Sequence, residues 1–418
     1  MLTVLALGLL PTTWIVDAAA GPGSHFTDLP AAIAAAADGD TILVRAGSYS
    51  SFAMTGRTLT IRGAGIGATI VNGSSHVVTQ TPAGTVDVFS GMTIHGYVWV
   101  TNSAHATLTD CEVLGIDQAS NGTSALFVSG FSEVFALRCR FVGGDAIGPP
   151  PPPPFGGPMV GGNAVTVQAG EFAATDCEIL GGSITGVFGG PGSRTGGSGL
   201  AMDASAHARL DGVSIAAGSS APPGFFVGLG GDAIFVRNDS RLLVSGDATD
   251  TITAGYGAFL GAAVRLTNER FYPASEVTIH GAMPISGQVI GPVTLNAPAM
   301  PRLVFASTPL PSGETDSTQP VTITCDGLAP SAPFAFLFGL TPSYTDLGAP
   351  FVGALLVDLS TAAFVAGQLD PAGQFQFGFV PLALFGGPVP FPFYMQFASF
   401  DPNGDIRLSN LEARFYSL

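Results

Sequence analysis

The stretch LTDCEVL (Leu108–Leu114) nearly recurs as ATDCEIL (Ala174–Leu180), with LRCRF (Leu137–Phe141) between them. The recurrence extends beyond the cysteines. With the first inward residue of each copy as position zero, apolar or small residues return at positions two, five and seven. Ala106, Leu108, Cys111 and Val113 follow this rule, as do Val134, Ala136, Cys139 and Phe141, and Phe172, Ala174, Cys177 and Ile179. Ala208, Leu210, Val213 and Ile215 continue it; Leu242 and Val244 begin a blurred copy, and Tyr272, Ala274, Val277 and Ile279 close the series. Just upstream of each copy lies a second apolar strand: YVWV, ALFV, AVTV, GLAM, AIFV and AVRL.

Alternation by two is a strand with one buried face, and the three-residue step is a bend between strands. A short strand pair cannot bury its face alone, whereas stacked copies share one core. Strand-sized repeats favour a parallel β-helix over helical solenoids, whose repeats need longer segments of helical period. The spacing between copies varies, so loops of different length are inserted at one corner. They carry the proline run Pro149–Pro154, GGPGSRTGGSG and SSAPPG.

Upstream, AAIAAAADGDTILVRAGSYS followed by TLTIRGAG resembles the entry to right-handed parallel β-helix proteins of the pectin-lyase-like superfamily. The resemblance implies a short capping helix and then a first coil. Local chemistry agrees, because Thr27 or Asp28 suits an N-cap, Pro30 the first turn and Gly39 a stop. After about Ala299 the texture changes to VTITC, FAFLFGL, FQFGFV and YMQFASF, punctuated by DPAG and DPNG turns. This predicts an antiparallel β-sandwich. The stretch YMQFASFDPNGDIRLSN is similar to C-terminal domains appended to many exported bacterial proteins. The expected organisation is a signal-like segment 1–12, a β-helix over 13–298 and a sandwich over 299–418. Met1–Leu10 has the apolar core of a secretory signal without its basic flank, so the protein is expected to be secreted or on a bacterial cell surface.

A formal charge of −16, with no lysine among the basic residues, argues against nucleic acid and disfavours polyanionic ligands. No stretch is long and apolar enough for a transmembrane helix.

Adjacent coils place equivalent residues about 4.8 Å apart, so columns can be read. Asp110, Arg138 and Asp176 form one, and Glu112, Arg140 and Glu178 another. Both read as charge ladders, and the central Arg opposes a calcium site. His105, Glu133, Glu171 and His207, then Arg241, form a column with the residue types of acid–base chemistry. The alternative is a solvated ladder. Cys111, Cys139 and Cys177 stack inward, as buried thiols or as one bridge with one thiol left over. Tyr97 and Trp99 alternate with Val98 and Val100, so one pair faces outward; an outward Tyr97 and Trp99 would offer a sugar-stacking platform.

The resemblance also implies tests of activity. The superfamily's pectate lyases use calcium and an Arg base, usually with Lys, its polygalacturonase-type hydrolases carry Asn-Thr-Asp and Gly-His-Gly motifs, and its alginate-lyase-type members use a Lys/Arg pair. The Lys-dependent elements cannot exist here and the hydrolase motifs are absent. The expectation is a non-catalytic glycan-binding or structural β-helix without cofactor, whose partner is a polysaccharide or cell-surface glycan. The alternative is a polysaccharide lyase or glycoside hydrolase using the His105–Glu133–Glu171–His207 column.

Overall fold

The computed structural model describes residues 12–417 except 149–158, 186–193, 221–227, 268–273, 298–299, 308–314, 317, 327–328, 348–350, 381–388 and 402. All of the signal-like segment but Thr12, and the proline run Pro149–Pro154, lie outside the described residues.

The chain is a right-handed parallel β-helix followed by an antiparallel β-sandwich. Helix α1 (Leu29–Ala35) caps the first coils, with Asp28 as N-cap accepting from the Leu29 amide. Its apolar side, Leu29, Ala32 and Ile33, joins the solenoid core. The Arg57 guanidinium donates to the carbonyls of Ile33 and Ala36, each at 2.7 Å, and so satisfies acceptors at the helix end.

Each coil contributes a strand to three faces. The first face is an 11-stranded parallel sheet running from Thr13–Val16 through His105–Thr109, Glu133–Leu137, Glu171–Thr175, His207–Asp211 and Arg241–Gly246 to Val293–Ala297. The second includes Glu112–Leu114, Arg140–Val142 and Glu178–Leu180; the third includes Leu126–Ser129, Val165–Gln168 and Leu200–Asp203. Strands Thr69–Thr79 and Thr93–Thr101 run through the corner and join the second and third faces into one sheet. The three-residue step between the first and second faces is one left-handed residue, Asp110, Arg138, Asp176 or Gly212, each with φ between 52° and 62°. Aspartate and glycine tolerate this conformation readily.

The inward positions through Ile215 are buried in one continuous core. One register differs from expectation. Leu242 pairs with Val277 and Val244 with Ile279, so Val277 and Ile279 hold positions zero and two of the final copy rather than five and seven; Tyr272 lies outside the described residues. The turn Asp247–Asp250, inserted after the strand Arg241–Gly246, lengthens that coil and blurs the repeat. All four cysteines are buried free thiols. Burial pushes the Cys111 and Cys177 thiols well above their ordinary range.

The long loops leave at the corner between the second and third faces. Their outgoing and returning limbs are pinned by a ladder of glycine amides. Gly162 donates to Gly144, Gly182 to Gly162, Gly197 to Gly182, and Gly218 to Gly197, at 2.7–2.8 Å. A Cβ on Gly182 would lie 2.0 Å from the Gly144 carbonyl oxygen, so only glycine permits this approach. Further out, Met159–Val160, Arg194–Thr195 and Gly228–Leu229 form a small parallel sheet.

In the sandwich, Arg302–Ala306, Val321–Asp326 and Phe375–Phe379 form one antiparallel sheet. A larger sheet is built on Pro333–Gly339 and Val389–Phe400. Between them pack Leu303, Ile323, Cys325, Phe336, Met395 and Phe397. The DPAG and DPNG turns close with Gly373 donating to Asp370 and Gly404 to Asp401, each at 3.0 Å.

The sandwich lies against the first face of the β-helix. Phe135, Leu137 and Ala173 point outward from that face and pack on Ala354, Leu356, Tyr394, Leu411 and Ala413. Tyr394 donates to Thr107 at 2.9 Å. Arg209 has no exposure and donates to Asp211 (2.8 Å) and to the carbonyls of Ala354 (3.0 Å) and Leu408 (2.7 Å).

Candidate functional site

The acid–base column is assembled in register. His105 pairs with Glu133, Glu133 with Glu171, Glu171 with His207 and His207 with Arg241. Because each residue precedes the first inward position of its strand, all sit at the outer edge of the first face. His105 Nδ1 is 3.5 Å from Glu133 Oε2, and His207 Nδ1 is 3.8 Å from Glu171 Oε1. The hydrogen bond with Glu133 raises the His105 pKa above its ordinary value despite burial. The same Glu133 oxygen accepts from the Tyr344 amide at 3.3 Å.

Tyr344 belongs to the sandwich strand Pro342–Asp346, whose backbone roofs the column. Its ring lies 6.3 Å from that of His207. Beneath the column sits Asp87, almost fully buried, accepting from the Leu59 amide (3.0 Å) and the Thr81 hydroxyl (2.9 Å). Burial raises its pKa to about 7. The long loops depart from the opposite corner, so they do not wall a groove here. The column is half-buried at a domain junction.

The two charge ladders divide. Arg140 bridges its column, 2.9 Å from Glu112 and 2.7 Å from Glu178. In the other column Arg138 binds Asp110 in a bidentate pair but turns to Glu412 of the sandwich, while Asp176 is taken by Arg302. The ladder expectation therefore needs correcting: this column ties the sandwich to the solenoid. Asp110 keeps Arg138 as a ladder predicts, but Arg138 also reaches the buried Glu412 and Asp176 turns to Arg302, both of the sandwich. Among the described residues, no three His, Cys, Asp or Glu side chains gather as metal ligands would.

Tyr97 and Trp99 face outward on the third face, with Val98 and Val100 in the core. Trp99 is 38% exposed, edge-on to Phe127 at 6.2 Å, and its indole Nε1 donates to Ser129 at 3.1 Å. Trp99 lies between Val77 and Phe127 in the column. A parallel outward row runs Ser129, Gln168, Asp203; Ser129 donates to the buried Thr101 hydroxyl at 3.0 Å, and Asp203 binds Arg237 at 2.6 Å.

Sequence reasoning missed the junction. Its signal was present in FSEVFAL, where Phe135 and Leu137 occupy outward slots that a solvated strand fills with polar groups. Arg209, an arginine on the same face, gave no comparable sign.

No family model matches the chain. No curated protein matches it. Solved structures similar to it include the enzymatically active domain of tailspike protein 2 of bacteriophage CBA120, at 10% identity and TM-score 0.24, covering 90% of this chain and 72% of that one. A tailspike of Acinetobacter baumannii bacteriophage Fri1, described as a capsular polysaccharide depolymerase, matches at 10% identity and TM-score 0.22, covering 88% and 81%. The receptor-binding domain of the siphovirus 9NA tailspike matches at 12% identity and TM-score 0.17, covering 96% and 98%. Likenesses this loose assign neither a site nor an activity to this chain. Among the described residues no helix is long and apolar enough to cross a membrane.

Proposed function

We propose that this is an exported, non-catalytic β-helix that binds a polysaccharide or cell-surface glycan on its third face. The observation that carries this reading is the Trp99 ring. It is exposed, yet held by Phe127 at its edge and by Ser129 at its nitrogen. A rigid indole face loses little entropy when a sugar's C–H face stacks on it. The neighbouring row of Ser129, Gln168 and Asp203 supplies donors and acceptors for hydroxyls at the pitch of the coils. Tyr97, earlier on the same strand, extends the aromatic surface.

The non-catalytic part rests on the roofed column. Glu133 is already engaged by His105 and by the Tyr344 amide, so its carboxylate is committed to the junction and not left free for a substrate.

The chain has two tryptophans, and the other, Trp14, is fixed at the capped end by Asp40. In a Trp14→Phe background, fluorescence therefore reports Trp99. Titration with soluble oligosaccharides is expected to quench it, and Trp99→Ala is expected to abolish retention on immobilised polysaccharide. Retention unchanged by Trp99→Ala sinks the platform. Glycan cleavage by the wild type that Glu171→Gln removes sinks the non-catalytic reading.

A further inference from the structure

At the distal end of the junction the sandwich parts from the first face and leaves a cleft of about 390 Å³. Its floor is Arg241, Glu276 and Thr278 from two successive coils, and its wall is Tyr344, Asp346 and Phe351 from the sandwich. We propose that this cleft is a second binding site, specific for a neutral mono- or disaccharide held between the domains. It is separate from the Trp99 platform and does not rest on it.

Three features of the cleft point to this ligand. Its volume lies at the small end of the range for small-molecule sites, roughly 300–1,000 Å³, which suits one or two sugar rings. Its polar groups are available for a ligand. Among the described residues the Glu276 carboxylate and the hydroxyls of Thr278 and Tyr344 have no hydrogen-bond partner. Burial raises the Tyr344 pKa, so its phenol stays a neutral donor. Arg241, more than half exposed, is held loosely by Asp346 at 3.4 Å and is free to share its remaining donors.

The balance of charge selects the ligand class. Two carboxylates, Glu276 and Asp346, flank the Arg241 guanidinium, and Arg209 beneath is already compensated by Asp211. The excess is negative, so an anionic sugar is repelled. A neutral sugar offers vicinal hydroxyls that donate to the carboxylates and accept from Arg241, Thr278 and Tyr344. The rings of Tyr344 and Phe351 supply apolar surface for its C–H face. Because the walls come from both domains, an occupant also bridges them.

The test is calorimetric titration of the full chain with methyl β-glucoside, methyl β-galactoside, N-acetylglucosamine and cellobiose, with galacturonate as the anionic probe. At least one neutral sugar is expected to bind and galacturonate is not. Glu276→Gln removes charge-assisted bonds and is expected to weaken binding by roughly tenfold or more. Thr278→Phe fills the cleft and is expected to abolish it. Trp99→Ala is expected to leave it unchanged. The carboxylate of Glu276 is exposed and Thr278 half-exposed, so both variants should fold, which circular dichroism checks. Three results overturn the proposal: no neutral sugar binding at millimolar concentration, binding untouched by both cleft variants, or binding lost only with Trp99→Ala. The last would move the sugar to the third face and leave the platform standing.

Discussion

Arg209→Ala tests whether the sandwich is fixed to the solenoid by one buried guanidinium. The side chain is among the largest with no exposure. It gives donors to Asp211 at 2.8 Å, the Ala354 carbonyl at 3.0 Å and the Leu408 carbonyl at 2.7 Å. Truncation leaves Asp211, only 5% exposed, without its cation. Removing one partner of a buried ion pair costs about 3–5 kcal/mol, and the orphaned Leu408 carbonyl adds about 1–3 kcal/mol if it stays dry, while the Ala354 carbonyl keeps the Gln396 side-chain amide at 2.9 Å.

These costs do not simply add, because the domain has an alternative. It can lift off and let water reach all three acceptors, so the loss is capped at the docking free energy. At about 4 kcal/mol the docked-to-undocked ratio falls roughly a thousandfold. Hydrogen exchange is the assay. Amides of Tyr344 and of the first-face strand Glu133–Leu137 should exchange faster in Arg209→Ala, while the core strand Leu126–Ser129 keeps its protection. Adding Asp211→Leu should recover only the part due to the carboxylate, since the Leu408 carbonyl remains orphaned. If Arg209→Ala costs under about 1 kcal/mol in urea unfolding, and junction amides exchange as before, the reasoning is wrong.

The glycine ladder predicts that Gly182→Ala, whose Cβ would meet the Gly144 oxygen at 2.0 Å, destabilises the protein by about 1–3 kcal/mol or more, read as a lower urea midpoint; an unchanged midpoint refutes the pinned-neck account. Burial raises the Asp87 pKa to about 7 from its ordinary 3.8, so unfolding releases a proton between those values. Stability should fall as pH rises through that window, by at most about 4 kcal/mol, and stay level above it. His105, with its raised pKa, acts in the same direction, since its contribution is present at low pH and lost as pH rises through the folded value. Asp87→Asn should flatten most of the slope in urea titrations at pH 4–8, and an undiminished slope refutes the assignment.

The solenoid was legible because its code is local. Each coil repeats the same in–out alternation, and stacking follows once every copy must hide one face. The cap and the register through Leu242 follow from that logic, and the bridging of Glu112 and Glu178 by Arg140 from their shared column. Val277 and Ile279 were assigned positions five and seven because the turns after Arg241–Gly246 and Glu276–Gly281 depart from the three-residue step by which the copies were aligned. The His105–Glu133–Glu171–His207 column was equally legible as a column, but its setting was not. Whether an outward row meets solvent, a groove or another domain depends on contacts such as Arg209 with Leu408, which no repeat encodes. The sequence alone determined the strands, their stacking and which residues share a column, since these depend on near neighbours and one buried face. Only the tertiary structure decided that the sandwich folds back over the first face, roofs the histidines and glutamates, and opens a cleft beyond them. That outcome rests on complementarity between surfaces far apart in the chain.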